Sequence, residues 1–504
     1  MAPSSRSRKQ TKPVVKPAGT PTATKDAALP VNKRVPVVKS SSPPAATPAS
    51  AARPASASKK LKVALVGFGT VGRSVVKLLC QDTDGPLLLT HICNRNVEKK
   101  KVNWVPAHVR WTDNIEELLA SDADVIVELV GGIEPAGEWI RRALRSGKSV
   151  VTANKLLIAE SGPELLNLAR QSDQRLEFGA SVAGGIPAII AIQEGLAGDR
   201  LSKIEGILNG TCNFILTKME AKGATFAEAL KEAQELGFAE ANPRDDVEGF
   251  DARAKLVILT QAGLRLQVRS DQIPCWPIYA VEAVDFVYAR ELDCTIRQIS
   301  LAQKETANGV HLFAAVRPAL IPSSSMLAHV RGSQNMVTAT GEFVGEIALS
   351  GFGAGGDPTA VAVVSDLHSI VRKGSRDGAR QVGRPGEAQG EPANEVSPAD
   401  APDLHGGASL QVPASVSAEL TVPHYLRFVV RDRPGIVAEV ASVLWKYRIS
   451  IDALLQKPGY PHNALPFIIT LEPCSSAVLD RALAEVSQLD FHVQPLQCLP
   501  MLQG

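Results

Sequence analysis

Asp251 and Lys255 stand four residues apart in the stretch N-P-R-D-D-V-E-G-F-D-A-R-A-K, residues 242–255. On a helix that spacing puts both side chains on one face. A solvated ion pair of small energetic weight is the ordinary reading of such a pair. The context offers another. Glu240, Asp245 and Asp246 crowd the Pro243 loop that leads into the helix, and the apolar run Leu256-Val257-Ile258-Leu259 follows at once. A pocket for a zwitterionic substrate needs acids for an ammonium group and a lysine able to exchange a proton with a hydroxyl or carbonyl oxygen. Lys155 is a second lysine of this kind. It follows Thr152-Ala153-Asn154 at the end of an apolar run over residues 149–151, and ligands of a parallel sheet bind at the carboxyl ends of its strands. A helix cap followed by a surface lysine is the alternative.

Residues 62–66 form a short apolar run that feeds Gly67-Phe68-Gly69-Thr70-Val71-Gly72, after which Val71, Val75, Leu78 and Leu79 recur at helical spacing. The pattern predicts strand, glycine turn, helix. Glycines at 67, 69 and 72 permit a tight turn, close approach of the backbone to a pyrophosphate, and close packing of helix on strand. Residues 67–72 are therefore a dinucleotide-binding candidate, against the alternative of a plain cluster of turn glycines. An NAD-preferring site commonly has an acid at the end of the second strand; this chain has Cys93-Asn94-Arg95-Asn96 and then Lys99, Lys100 and Lys101. A cationic end, with Arg95 as the contact, suits a 2′-phosphate and favours NADP over NAD, although solvated surface lysines would look the same.

Further strands are predicted at 87–93, 125–130 and 149–151, with a helix over 138–146, so that strands and helices alternate as in a doubly wound parallel sheet. From about residue 176 the pattern changes to α+β. It predicts a strand toward Ala180, a helix after Pro187, a strand at 203–208, helices at 212–220 and 226–236, and apolar runs near 296–301, 311–316 and 344–349 that suggest more sheet. A helical pattern over 357–371 returns toward the first domain. Residues 373–419, rich in Gly, Pro and Ala, read as a flexible linker. A strand at 425–430, the turn Asp432-Arg433-Pro434-Gly435 and a helix with Ile436, Val440, Val443 and Leu444 open a small last module.

The first sixty residues hold twelve basic side chains against Asp26 alone, so the rest of the chain is net acidic, the whole being +2. This tail buries almost nothing apolar and reads as disordered. Nucleic acid, a membrane surface or an organelle transit role are alternatives to a solvated extension. Seven cysteines in no metal-ligating spacing suggest reduced thiols in a reducing, cytoplasmic setting. A run of about 18 apolar residues is missing, so no membrane span is expected.

Together these motifs resemble the homoserine dehydrogenases, in the long form with a C-terminal ACT domain. The matching stretches are G-F-G-T-V-G, V-V-T-A-N-K at 150–155, S-V-A-G-G-I-P at 181–187, G-I-L-N-G-T-C-N-F-I-L at 206–216, residues 242–255, G-A-G-G-D-P-T-A at 353–360 and D-R-P-G-I-V-A at 432–438. The resemblance implies a Rossmann-type domain over 61–176 completed by 351–373, a substrate and dimerisation domain over 177–350, and a ferredoxin-like ACT domain over 421–504, with a tail at 1–60 and a linker at 374–420. It implies reduction of L-aspartate 4-semialdehyde to L-homoserine with NAD(P)H, on the way to threonine, isoleucine and methionine. Lys255 and Lys155 would be the catalytic lysines, one acting as acid. Glu240 and Asp251, supported by Asp246, would hold the substrate's ammonium and polar groups. Gly67, Phe68, Gly69, Thr70, Val71, Gly72, Arg95, Lys155 and Gly353 would meet the cofactor. A sodium or potassium ion would sit on the backbone carbonyls of Val182, Gly184 and Ile186; the family often adds a glutamate where this chain has Gly179, and Glu177 would share that face of a regular strand. An amino acid, threonine in the usual case, would bind the ACT domain of a homodimer. Neither a nucleic acid nor a membrane is an expected partner.

Two rivals remain. An aspartate-semialdehyde dehydrogenase needs a cysteine nucleophile with a histidine, and Cys212 has no histidine near it in the sequence. An inactive amino-acid-binding regulator on the same scaffold would not need both lysines.

Overall fold

The structure, a computed structural model, describes residues 60–382 and 410–502. The basic tail and most of the expected linker lie outside them. Strands β1 (Leu61–Val66), β2 (Leu87–Cys93), β3 (Arg110–Thr112), β4 (Val125–Glu128), β5 (Ser149–Thr152) and β6 (Leu176–Glu177) form a six-stranded sheet in the order β3-β2-β1-β4-β5-β6. All its pairs are parallel. Alternation along β1 explains why the run is apolar throughout: Val63 and Leu65 enter one core and Ala64 and Val66 the other, so both faces are covered. The helix Gly356–Val382 returns to this sheet as the pattern over 357–371 predicts, but it runs on through the first residues of the expected linker. Its Ala360, Val363, Leu367 and Ile370 share a core with Val75, Val76 and Leu79 of the helix Thr70–Gln81. Ser74 Oγ donates to Asp357 Oδ1 at 2.6 Å across the same contact.

The second sheet contains β7 (Leu201–Ile207), β8 (Cys294–Glu305), β9 (His311–Pro322), β10 (Gln334–Gly341), β11 (Gly345–Phe352) and β12 (Ser415–Ser417), in the order β11-β10-β7-β8-β9-β12. Leu256, Val257, Ile258 and Leu259 form the buried body of the helix Phe250–Leu259. They pack in one core with Ala302, Ala314 and Val316 of this sheet and with Val150, Leu157 and Ile158 of the first unit of sheet and helix. The charged stretch is thus the end of a helix whose remainder is core.

Three expectations are corrected. The strand toward Ala180 stops at Glu177, and the chain turns through Gly179–Ser181, where the Ala180 N–H donates to Asp366 Oδ2 at 3.4 Å. Glu177 and residue 179 therefore do not share a strand face. Strand β10 was not foreseen, because its buried Asn335 and Thr338 break the apolar pattern. The last residues of the expected linker are ordered: β12 pairs with β9, and Gln411 exchanges backbone bonds with Arg265 and Gln267 at 3.0 and 2.9 Å.

The third sheet, β14-β15-β13-β16, is antiparallel and built from β13 (Thr421–Val430), β14 (Ile451–Leu455), β15 (Leu465–Ser475) and β16 (Gln497–Pro500). Helices Ile436–Lys446 and Ser476–Val486 follow β13 and β15, giving the ferredoxin-like βαββαβ order. Leu426, Phe428 and Val430 face these helices. The opposite face of β13 docks on the helix Ala283–Glu291, where Tyr425 Oη donates to Asp285 Oδ1 at 2.8 Å and Arg427 Nε lies 2.9 Å from the same oxygen. Asp285 and Arg427 are buried, and burying such charges is tolerable only when they are paired. Among the described residues no helix is long and apolar enough to cross a membrane.

His424, on β13, is 1 % exposed. Its Nδ1 lies 3.6 Å from Cys474 Sγ, and burial, reinforced by the charge of Arg317, lowers its pKa to about 4. Because the unfolded chain takes up this proton near 6.5 and the folded chain does not, stability is intact above 6.5 and is lost as pH falls to about 4. The loss amounts to roughly 3 kcal/mol. Denaturant unfolding at a series of pH values will show this slope, and His424→Leu will flatten it.

Candidate active site

Asp251 sits in the first turn of the helix Phe250–Leu259, which is entered through Gly249 in the left-handed region (φ 86°). Its carboxylate is shared. Oδ1 lies 2.8 Å from Lys155 Nζ, while Oδ2 accepts from Lys255 Nζ at 2.7 Å and from Asn209 Nδ2 at 2.9 Å. Burial alone would push this carboxyl up; the charges of Lys255 and Lys155 outweigh it and hold the group well below the usual carboxylate range. Lys255 also donates to the Leu208 carbonyl at 2.7 Å, which leaves one of its three N–H donors. The structure therefore brings Lys155, Asp251 and Lys255 together, and makes Asp251 the counter-ion of both lysines.

Lys155 is the first residue of the helix Lys155–Gln171 and is held by its neighbours. Asn154 Oδ1 caps the helix by accepting from the Leu157 N–H at 3.2 Å, and its Nδ2 donates to the Gly132 carbonyl at 2.6 Å. The buried Glu128, at the end of β4, accepts from Thr152 Oγ1 at 2.6 Å and from the Val130 and Gly131 N–H groups at 2.7 and 2.9 Å. Thr152 Oγ1 in turn accepts from the Asn154 N–H at 3.0 Å. Both alternatives for Thr152-Ala153-Asn154-Lys155 hold at once: it is a helix cap, and the lysine it presents reaches Asp251. The Asp251 charge raises the Lys155 pKa. Protonated lysine is thus the resting form, the reverse of a pocket that lowers a lysine's pKa.

Asn209, Glu128, Thr152 and the Leu208 carbonyl were not singled out in the sequence. The side-chain cap signal N-G-T was visible at Asn209, but its second partner set is tertiary. Asn209 Nδ2 also donates to Asp246 Oδ1 at 2.7 Å. Asp246 is half-buried, and burial pushes its carboxyl upward against the bond from Asn209. Glu240 is exposed, and its described hydrogen bond is made by the backbone carbonyl, which accepts from Gln234 Nε2 at 3.0 Å. Cys212 is fully buried with Sγ 3.1 Å from the Asp246 carbonyl, and burial raises its thiol far above the ordinary value. It is a core residue and not a nucleophile.

The glycine turn has the shape a dinucleotide needs. A Cβ on Gly72 would lie 2.1 Å from the Gly67 carbonyl oxygen, and one on Gly67, whose φ is 101°, would lie 2.8 Å from the Leu129 oxygen. Gly69 and Thr70 are exposed at the start of the helix Thr70–Gln81, which has no side-chain cap, so its first N–H groups are available to a phosphate. Val71 and Gly72 lie within that first turn. Phe68 contributes differently: its ring is buried edge-on against Trp111, and its N–H donates to Asn94 Oδ1 at 2.9 Å. Arg95 is exposed two residues past β2, whose Cys93 carbonyl accepts from the Gly67 N–H at 2.9 Å. Gly353 is buried, its Cα packed so closely on Asn335 that a Cβ would meet that side chain at 2.3 Å, and its carbonyl lies against Gly184.

Sequence models of two homoserine dehydrogenase domains match the chain in order: the NAD-binding domain over residues 67–179 and the homoserine dehydrogenase domain over 187–368, followed by an ACT domain over 424–491. Homoserine dehydrogenase of Neisseria gonorrhoeae is 35 % identical over 454 residues, covering 88 % of this chain and 99 % of its own. The Bacillus subtilis enzyme is 35 % identical over 418 residues, 82 % of this chain and 91 % of its own. The chain belongs to the homoserine dehydrogenase family. Among solved structures, the homoserine dehydrogenase of Thiobacillus denitrificans superposes with a TM-score of 0.76 at 32 % identity, over 88 % of this chain and 99 % of that one. A hyperthermophilic archaeal homoserine dehydrogenase in complex with NADPH gives 0.54 at 27 % identity, over 62 % and 98 %. The chain is accordingly an oxidoreductase with a nicotinamide cofactor.

At the loop where this resemblance implies a monovalent cation, Ala183 and Gly184 have φ of 56° and 45°. The Ile186 carbonyl already accepts from the Ala188 N–H at 2.7 Å. A Cβ at Gly179 would stand 2.6 Å from Asp366 Oδ1, so a glutamate there would require Asp366 to move. Among the described residues no group of three or more His, Cys, Asp or Glu could hold a metal. Val182 and Gly184 can offer carbonyls but no side-chain ligand joins them at 179, and no catalytic step is assigned to a cation.

The glycines give a paired test. Nothing lies within 4 Å of a Cβ built on Gly69, so Gly69→Ala will keep the thermal midpoint while weakening NADPH binding by about tenfold or more, because the methyl meets the pyrophosphate. Gly72→Ala will lower both. Fluorescence titration and thermal unfolding of the two variants separate these outcomes.

Proposed function

We propose that the chain reduces L-aspartate 4-semialdehyde to L-homoserine with NADPH, within threonine, methionine and isoleucine synthesis. The observation that carries this reading is the convergence of Lys155 and Lys255 on the buried Asp251 at the carboxyl ends of β5 and β7. When bound, the reduced nicotinamide supplies two electrons and a hydrogen to the aldehyde carbon. The protein's part is electrostatic and protic. The N–H donors of Lys155 and Lys255 not spent on Asp251 and Leu208 face the aldehyde oxygen, one ammonium giving its proton as the C–O bond becomes single and the other stabilising the developing negative charge. The raised pKa of Lys155 keeps that charge in place. Asp246 and the exposed Glu240 take the substrate's ammonium group.

Residues 67–72 hold the cofactor, with the turn's open N–H groups at its pyrophosphate and Arg95 at its 2′-phosphate, which makes NADP the preferred form. Of the carbonyls at 182, 184 and 186, those of Val182 and Gly184 are open to a sodium or potassium ion, that of Ile186 being taken by the Ala188 N–H. The ACT domain takes an amino acid, threonine, as feedback effector in a cytoplasmic homodimer.

The test is NADPH oxidation with L-aspartate 4-semialdehyde. Wild type turns over, and Lys255→Ala and Lys155→Ala, folded by circular dichroism, each fall by about 100-fold or more. A wild type without turnover, or variants equal to it, would end this assignment.

A further inference from the structure

Asn209 stands at the junction of β7 and the helix Gly210–Lys222, and is 3 % exposed. Its Oδ1 accepts from the Cys212 N–H at 2.7 Å, which caps the helix. That bond fixes the orientation of the carboxamide, so its NH2 must face the acids. The two hydrogens go to two different carboxylates, Asp246 Oδ1 at 2.7 Å and Asp251 Oδ2 at 2.9 Å. Every hydrogen-bonding capacity of this NH2 is therefore used, and used between groups of like charge.

Two carboxylates this close to one nitrogen repel, and in a buried site one of them would take up a proton unless something intervenes. A neutral double donor does so. The lysines keep Asp251 ionised, while the bond from Asn209 holds Asp246 by one oxygen and works against the upward push of burial on its carboxyl. Asp246 Oδ2 accepts no hydrogen bond among the described residues, and the residue is half-buried rather than enclosed. We propose that Asn209 is a positioning residue that gives the two carboxylates separate tasks: Asp251 is locked onto the lysines, and Asp246 turns its second oxygen to the ammonium group of the amino-acid substrate. This rests on the reading of the site given above and assigns a division of labour within it.

The charged and titratable groups around Asp246 are Asp251 and Lys255 from the helix Phe250–Leu259, Lys155 from the helix Lys155–Gln171, and Cys212 from the helix Gly210–Lys222. A carboxylate added among them raises the pH at which Asp246 ionises. The cap and the double donation can be separated. Serine and aspartate cap a helix as well as asparagine does, but serine cannot reach both acids and aspartate cannot donate.

Asn209→Ser and Asn209→Asp are therefore expected to fold near the wild-type temperature. Their kcat/KM for L-aspartate 4-semialdehyde falls about tenfold to hundredfold. KM for the aldehyde rises, KM for NADPH stays unchanged, and in Asn209→Asp the acidic limb of the pH profile moves upward. Folded variants that keep kcat/KM within about twofold and an unmoved acidic limb would show a helix cap and nothing more. Should the aspartate variant fail to fold, the serine variant decides alone. Absence of turnover in the wild type overturns this proposal together with the functional reading, whereas an active wild type with unaffected variants overturns this proposal only.

Discussion

A single buried carboxylate organises this site. Asp251 binds Lys155 from the helix after β5 and Lys255 from its own helix, so two cations remote in sequence share one anion. Removing either kind of partner leaves uncompensated charge in a poorly solvated place, which costs far more than the pair itself contributes. The surroundings follow from that constraint. Leu208 gives a carbonyl to Lys255, Asn209 donates to Asp251, and Glu128, through Thr152 and Asn154, fixes the turn that delivers Lys155.

The same economy recurs at the third sheet. Arg427 is buried against Asp285, and its Nη2 also donates to the Ala280 carbonyl at 3.1 Å. Two residues earlier, the Ile278 N–H donates to the Val247 carbonyl at 3.0 Å, in the short helix that carries Asp246. A continuous set of hydrogen bonds and packed backbone thus runs from β13 to the edge of the charged cluster. The docked face also holds an apolar core, with Tyr425, Ile468 and Leu499 packed with Phe286 and Tyr288, and Tyr288 Oη donates to the Pro466 carbonyl at 3.1 Å.

Strands β1, β2, β4 and β5 of the parallel sheet were legible because they are apolar and the glycines sit between a strand and a helix; β3, short and with Arg110 exposed, was not. The lysine pair was legible as two separate hints: the i,i+4 spacing of Asp251 and Lys255, and Lys155 at the end of a strand. That the hints meet at one carboxylate is a tertiary fact, since 96 residues separate Lys155 from Asp251 and no local pattern encodes the contact. Asn209 was not legible: its cap on Cys212 is a local feature of N-G-T-C, but its bonds to Asp246 and Asp251 are tertiary. Strand β10 was hidden by buried polar residues, and β12 by a linker-like composition that reveals nothing about an edge waiting to be paired. The Glu177 expectation failed because a strand only two residues long has no face to continue.

The most direct test of the organising role of Asp251 is Asp251→Asn, a change of charge with almost none of shape. The folded variant should lose at least about 100-fold in kcat for L-aspartate 4-semialdehyde while binding NADPH as tightly as the wild type, because the lysines lose their anion and the glycine turn is untouched. Turnover within about threefold of the wild type would contradict the account, since the lysines would then be held and charged without the carboxylate said to hold them.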